Sequence, residues 1–136
     1  MLDLVLLPED YAVCRLEPGQ VVPTGLEAGK GIVSVTWTES EISIICPARQ
    51  APADATVNQP WRCLRVNGPL DLALTGIMAA LVRPLADARV NVFTFSTYDT
   101  DYVLVPTVRL QEAIAALTGA GHRIDLPPGE SGGQAS

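Results

Sequence analysis

A chain of 136 residues has room for one compact domain or two small lobes sharing a core, and 48% apolar against 18% charged residues excludes a disordered chain. A net charge of −6 with only nine Lys and Arg excludes a phosphate-binding surface, so no nucleic-acid partner is expected. No apolar run approaches the roughly 20 residues that span a bilayer, and the N-terminal MLDLVLLPEDY has no basic leader, so the sequence predicts a soluble, cytoplasmic protein with no membrane partner.

With aromatics at 5%, Ala, Val, Leu and Ile must fill the interior. In chain order, LDLVLLP and YAVCRLEP predict two strands joined tightly at Pro8–Asp10, and residues 18–31 carry too many glycines and prolines for more than a helical turn. GIVSVTWTESEISIICP alternates apolar and hydroxyl residues on either side of Glu39 and Ser40, the pattern of a half-buried hairpin. Residues 48–60 are small and polar and read as a linker with space for a short helix. WRCLRV is a strand, after which Thr75 is placed to cap a helix from Gly76 to about Ala86, with Pro84 kinking or fraying its end. VNVFTFS and YVLVP are strands, TVRLQEAIAALTGAG is a helix closed by glycines, and HRIDL is a final short strand. PPGESGGQAS has the composition of a disordered tail.

Cys14, Cys46 and Cys63 follow no metal-ligand spacing and lie in apolar runs, so they read as reduced, buried side chains. His122, the only histidine, sits among glycines at a helix end and reads as a solvated capping residue. Trp37 and Trp61 are expected to fill the space between lobes. Nothing in the sequence requires a metal or a cofactor.

The order strand, helix, strand, strand, helix, strand over residues 61–126 is the split βαβ arrangement, an α+β fold with two helices on one face of an antiparallel sheet. Val90 and Val92 point to one face of their strand and Phe93 and Phe95 to the other, so the N-terminal lobe or another subunit should cover what the helices leave open. Setting Glu41 against Asp101, an offset of 60, aligns VTWTESEISIIC with FSTYDTDYVLVP, as if the N-terminal lobe were a reduced copy of the C-terminal one. The domains are then 1–58, an N-terminal lobe; 59–126, a C-terminal domain; and 127–136, a disordered tail.

LTGIMAALVRPLADARVNVFTFST resembles the ACT-domain pattern, in Gly76 opening the helix, Leu85–Ala86 ending it and Val90–Asn91–Val92 leading into the next strand. STYDTDYVLV and TESEISIICP resemble a subgroup of small tandem ACT proteins of bacteria, which are also similar to eukaryotic cytosolic arginine sensors. The resemblance spans nearly all of residues 11–122 and implies two ferredoxin-like βαββαβ lobes, the N-terminal one reduced. It implies a non-catalytic regulatory protein that binds a small amino acid or related metabolite at an ACT-type interface, forms a homodimer and passes its signal through its own assembly or a protein partner. Carried over residue by residue, the ligand contacts are Asp71, Leu74, Gly76, Ile77 and Met78 in the loop and first helical turn, and Thr97, Tyr98 and Asp101 in the hairpin. Leu74 departs from the sensors, which carry an acid there.

Independently of the resemblance, an amino acid needs donors for its carboxylate and an acceptor for its ammonium. A helix start at Gly76 offers the first and Asp101 the second, although Thr97 and Asp101 could equally serve the turn itself. A structural or interaction module without a ligand is the alternative. Catalysis by Asp99 and Asp101 is disfavoured, because no basic or metal-binding partner lies near them in sequence.

Overall fold

A computed structural model describes residues 1–71 and 73–130 of the chain. They form two compact units, Glu9–Trp61 and a second made of Met1–Pro8 with the chain from Arg62 onward. The strand β1 (Asp3–Leu16) and the strand β4 (Thr56–Val66) contribute residues to both.

In the Glu9–Trp61 unit, β2 (Ser34–Trp37) and β3 (Ile42–Pro47) form the hairpin expected from the alternating pattern, with Trp37 opposite Ile42. β3 runs antiparallel to β1, Tyr11 opposite Pro47 through Leu16 opposite Ile42. Ala12, Cys14 and Leu16 from β1 and Ile42, Ile44 and Cys46 from β3 make the core, every second residue of each strand facing in. The glycine- and proline-rich segment after β1 stays non-helical, and it is pinned where Gln50 donates to the Glu27 carbonyl and accepts from the Glu27 N–H. Trp61 is buried and donates to Asn58, whereas Trp37 is 65% exposed and fills no interior space, contrary to expectation.

The other unit follows the order β4, α1 (Ile77–Asp87), β5 (Phe93–Ser96), β6 (Asp101–Pro106), α2 (Leu110–Gly119), β7 (Arg123–Asp125), the ferredoxin-like βαββαβ sequence of an α+β fold. Leu81 and Leu85 of α1 and Leu110, Ala113, Ile114 and Leu117 of α2 recur at helical spacing and pack on Leu64, Val66, Val103 and Val105 of the sheet. Burying each Leu, Ile or Val among them stabilises by about 1.5–3 kcal/mol. Phe95 stacks on Tyr102 with ring centroids 4.9 Å apart, so the aromatic face of this hairpin is partly covered by its own strand pair.

Three expectations change. Residues 2–16 do not form two strands: β1 is continuous through Pro8, which falls between its ladder with β7 at Asp3–Val5 and its ladder with β3 from Tyr11. The sheet is not wholly antiparallel, since β1 lies between β4 and β7 and pairs with β7 in parallel. Thr75 does not cap α1; the cap position is Gly76, in the left-handed region at φ +78°, and no side chain caps the helix. Pro84 is accommodated inside α1, which runs on to Asp87. Of the segment expected to be disordered, residues 131–136 lie outside the described residues, and Pro127–Glu130 form a turn closed by the Glu130 N–H on the Pro127 carbonyl.

Candidate functional site

The loop leaving β4 turns back at once onto the β5–β6 hairpin. A Cβ on Gly68 would sit 3.2 Å from both the Asp99 carbonyl oxygen and the Thr100 Cβ, so a side chain there would have to push the hairpin back by a few tenths of an ångström. Two hydrogen bonds fix it: the Leu70 N–H donates to the Asp99 carbonyl at 2.7 Å, and the buried Thr100 hydroxyl donates to the Val66 carbonyl at 2.6 Å. Asp71 then closes a local turn, its Oδ1 accepting from the Ala73 N–H and its carbonyl from the Leu74 N–H.

These constraints shape an open hollow of about 240 Å³ between the loop, the first turn of α1 and the hairpin tip. All eight residues singled out from the sequence line it: Asp71, Leu74, Gly76, Ile77 and Met78 from the loop and helix, and Thr97, Tyr98 and Asp101 from the hairpin. Leu70, Asp99 and Thr100 complete the wall. Leu74 and Tyr98 are exposed apolar groups at its rim, while Ile77, Met78 and Asp101 are half-buried.

The chemistry is polarised. On one side, α1 begins without a side-chain cap, and its first intrahelical bond is the Ala80 N–H to the Gly76 carbonyl, which leaves the preceding N–H groups and the positive end of the helix dipole facing outward. On the other side, the hairpin brings Asp99 and Asp101, while Asp71 sits in the loop before the helix, and none of the three has an ion-pair partner among the described residues. Asp101 Oδ1 accepts from Ser96 at 2.6 Å, holding that carboxylate in place from the opposite strand. Thr97 is partly committed to the turn, since its N–H and its hydroxyl both donate to the Thr100 carbonyl. Such a hollow can take a group with a carboxylate at one end and an ammonium at the other. Among the described residues no three His, Cys, Asp or Glu side chains converge as metal ligands.

The lining residues missed in sequence are Leu70, Asp99 and Thr100. Thr100 lies in the hairpin turn, yet its hydroxyl is a buried hook, and only the proximity of Val66, 34 residues away, shows this.

The three thiols are free and buried. Burial raises the Cys63 thiol well above the usual range, and Cys46, hydrogen-bonded to Cys14 and also desolvated, is likewise raised. All three are packing residues.

Comparison with known proteins follows the same division of the chain. The ACT domain family pattern matches residues 56–119, and a second pattern, described as an N-terminal domain, matches residues 9–54. The chain is 32% identical over 115 residues, 81% of its length, to the human cytosolic arginine sensor for mTORC1 subunit 1, and covers 33% of that protein. It thus spans about a third of the length of this curated relative. A structural-genomics protein from Agrobacterium tumefaciens is 32% identical, with a TM-score of 0.84 and 96% of each chain covered. The regulatory subunit of aspartate kinase from Thermus flavus superposes with a TM-score of 0.60 over 86% of this chain and 95% of that one; at 12% identity it shares the fold. Among the described residues no helix is long and apolar enough to cross a membrane. The order of elements from β4 to β7, the pattern matched over residues 56–119 and the arginine-sensor relatives agree: the chain carries an ACT domain over residues 56–119.

Proposed function

We propose that this protein is a non-catalytic regulator that binds a small amino acid or related metabolite in the hollow at the start of α1. One observation carries the reading: an uncapped helix N-terminus and three carboxylates, Asp71, Asp99 and Asp101, none with an ion-pair partner among the described residues, line one hollow of amino-acid size, about 240 Å³. The ligand carboxylate would rest on the N–H groups after Gly76, Asp101 would accept from its ammonium, and Leu74, Ile77, Met78 and Tyr98 would surround its side chain. Thr97 and Asp71 would complete the contacts from either side. The similarity to an arginine sensor supports an amino acid as the ligand class. A thermal-shift screen of the whole chain against the twenty amino acids tests the proposal: stabilisation by one or a few related members supports it, and no shift with any of them contradicts it.

The Glu9–Trp61 unit fits a reduced second copy. β2 and β5, β3 and β6, and the 3-10 turns Ala48–Gln50 and Thr107–Arg109 correspond at a constant offset of 59 residues, each turn entered from a proline, Pro47 or Pro106, of nearly equal backbone angles. The register differs by one from the sequence alignment, so Glu41 corresponds to Thr100 and not to Asp101. In this reading the segment after β1 has lost the helix and with it the ligand turn. A homodimer acting in the cytoplasm, passing its state to a protein partner, is the assembly this function calls for, and sedimentation of the ligand-free and ligand-bound chain would test it.

A further inference from the structure

Arg62 in β4 is a charged side chain only 9% exposed. Its Nη2 donates to the Leu7 carbonyl at 3.0 Å and to Glu130 Oε1 at 3.0 Å, its Nη1 donates to Glu130 Oε2 at 3.3 Å, and its buried Nε has no partner. A guanidinium so far from water needs a compensating anion, and its flat fork matches a carboxylate held by two parallel bonds. Glu130 is the carboxylate that meets it. The carboxylate comes from 68 residues downstream, on a four-residue turn that follows the last strand.

The element that delivers it is slight. Pro128 and Gly129 are exposed, Gly129 is in the left-handed region at φ +86°, and the Glu130 N–H bonds back to the Pro127 carbonyl within the turn itself, not to a strand or helix. A built, buried cationic socket is therefore closed by a loosely tethered acidic side chain. We propose that Arg62 is a carboxylate-binding site, which the chain fills with its own Glu130 and which opens to an external carboxylate when Pro127–Glu130 lifts away. The site is separate from the hollow at Gly76, since neither Leu7 nor Glu130 lines that hollow.

The test uses the full-length chain with Glu130→Ala, which removes the CH2–COO− fragment that acetate reproduces. Glu130→Ala is expected to lower the melting temperature by roughly 5 °C. Sodium acetate should restore most of that loss in a saturable way, while sodium chloride at equal ionic strength should not. Glu130→Gln, whose amide still occupies the socket, should respond to acetate less than Glu130→Ala, and the wild-type chain should respond least. An unchanged melting temperature in Glu130→Ala, or equal effects of acetate and chloride on it, would overturn the proposal.

Discussion

His122 Nε2 lies 3.0 Å from the carbonyl oxygen of Ala80, the acceptor that Pro84, four residues further along α1 and without an N–H, leaves unserved. The other ring nitrogen, Nδ1, accepts from the Leu2 N–H at 3.0 Å, so the proton resides on Nε2 and the ring joins α1 to the start of the chain. A residue that looked like a solvated cap is 7% exposed and repairs a helix defect. His122→Ala should cost about 2–3 kcal/mol, from a buried acceptor and a buried donor left unpaired. In a Pro84→Ala background, where residue 84 can bond Ala80 itself, the same change should cost less; urea denaturation of the four-member mutant cycle reads the coupling.

Thr100→Val keeps the shape and removes the bond to the Val66 carbonyl. A loss of about 1–2 kcal/mol is expected. Because the hydroxyl ties the hairpin to the end of β4, hydrogen exchange should also rise at Leu70 and Thr97, whose N–H groups bond to this turn, more than in the Glu9–Trp61 unit.

Gly76→Ala should destabilise by about 1 kcal/mol, although a Cβ there would meet nothing within 4 Å. The cost is conformational, set by φ +78°. Gly68→Ala costs for a different reason, contact with Asp99 and Thr100 at 3.2 Å. Thermal melts of the two variants, alone and with ligand, separate the causes: Gly68→Ala should distort the hairpin wall, and Gly76→Ala the helix start.

Cys14, Cys46 and Cys63 should be silent to a thiol reagent in the native chain at neutral pH, because the hydrogen bond with Cys14 disfavours the Cys46 thiolate, burial disfavours that of Cys63, and packing shields all three sulfurs. Denaturation should release all of them. Rapid labelling of any of the three in native buffer would contradict the packing described for that residue.

Local patterns in the sequence carried much of this architecture. The hairpin strands around Ser34–Pro47 and Phe93–Pro106 follow from alternation, and α2 from its apolar spacing and its glycines, because these signals concern neighbours in the chain. The residues around the hollow were assembled through the ACT resemblance, not through composition or periodicity. What could not be read depends on distant partners: the unbroken β1 through Pro8 depends on which strands flank it, the role of His122 on Leu2, 120 residues away, and the burial of Arg62 on Glu130. Even the offset between the two hairpins shifted by one, since a turn of similar composition gives no register until its hydrogen bonds, Thr38 N–H to Glu41 O and Thr97 N–H to Thr100 O, are known.

The central claim is ligand binding at the start of α1, and backbone amide NMR reads it most directly. Titrating the full-length chain with each amino acid should give, for at least one, saturable shifts centred on Ile77, Met78, Thr97 and Asp101, with affinity falling tenfold or more in Asp101→Ala, about 1.4 kcal/mol or more. No shifts with any amino acid, or shifts confined to the Glu9–Trp61 unit, would contradict the account.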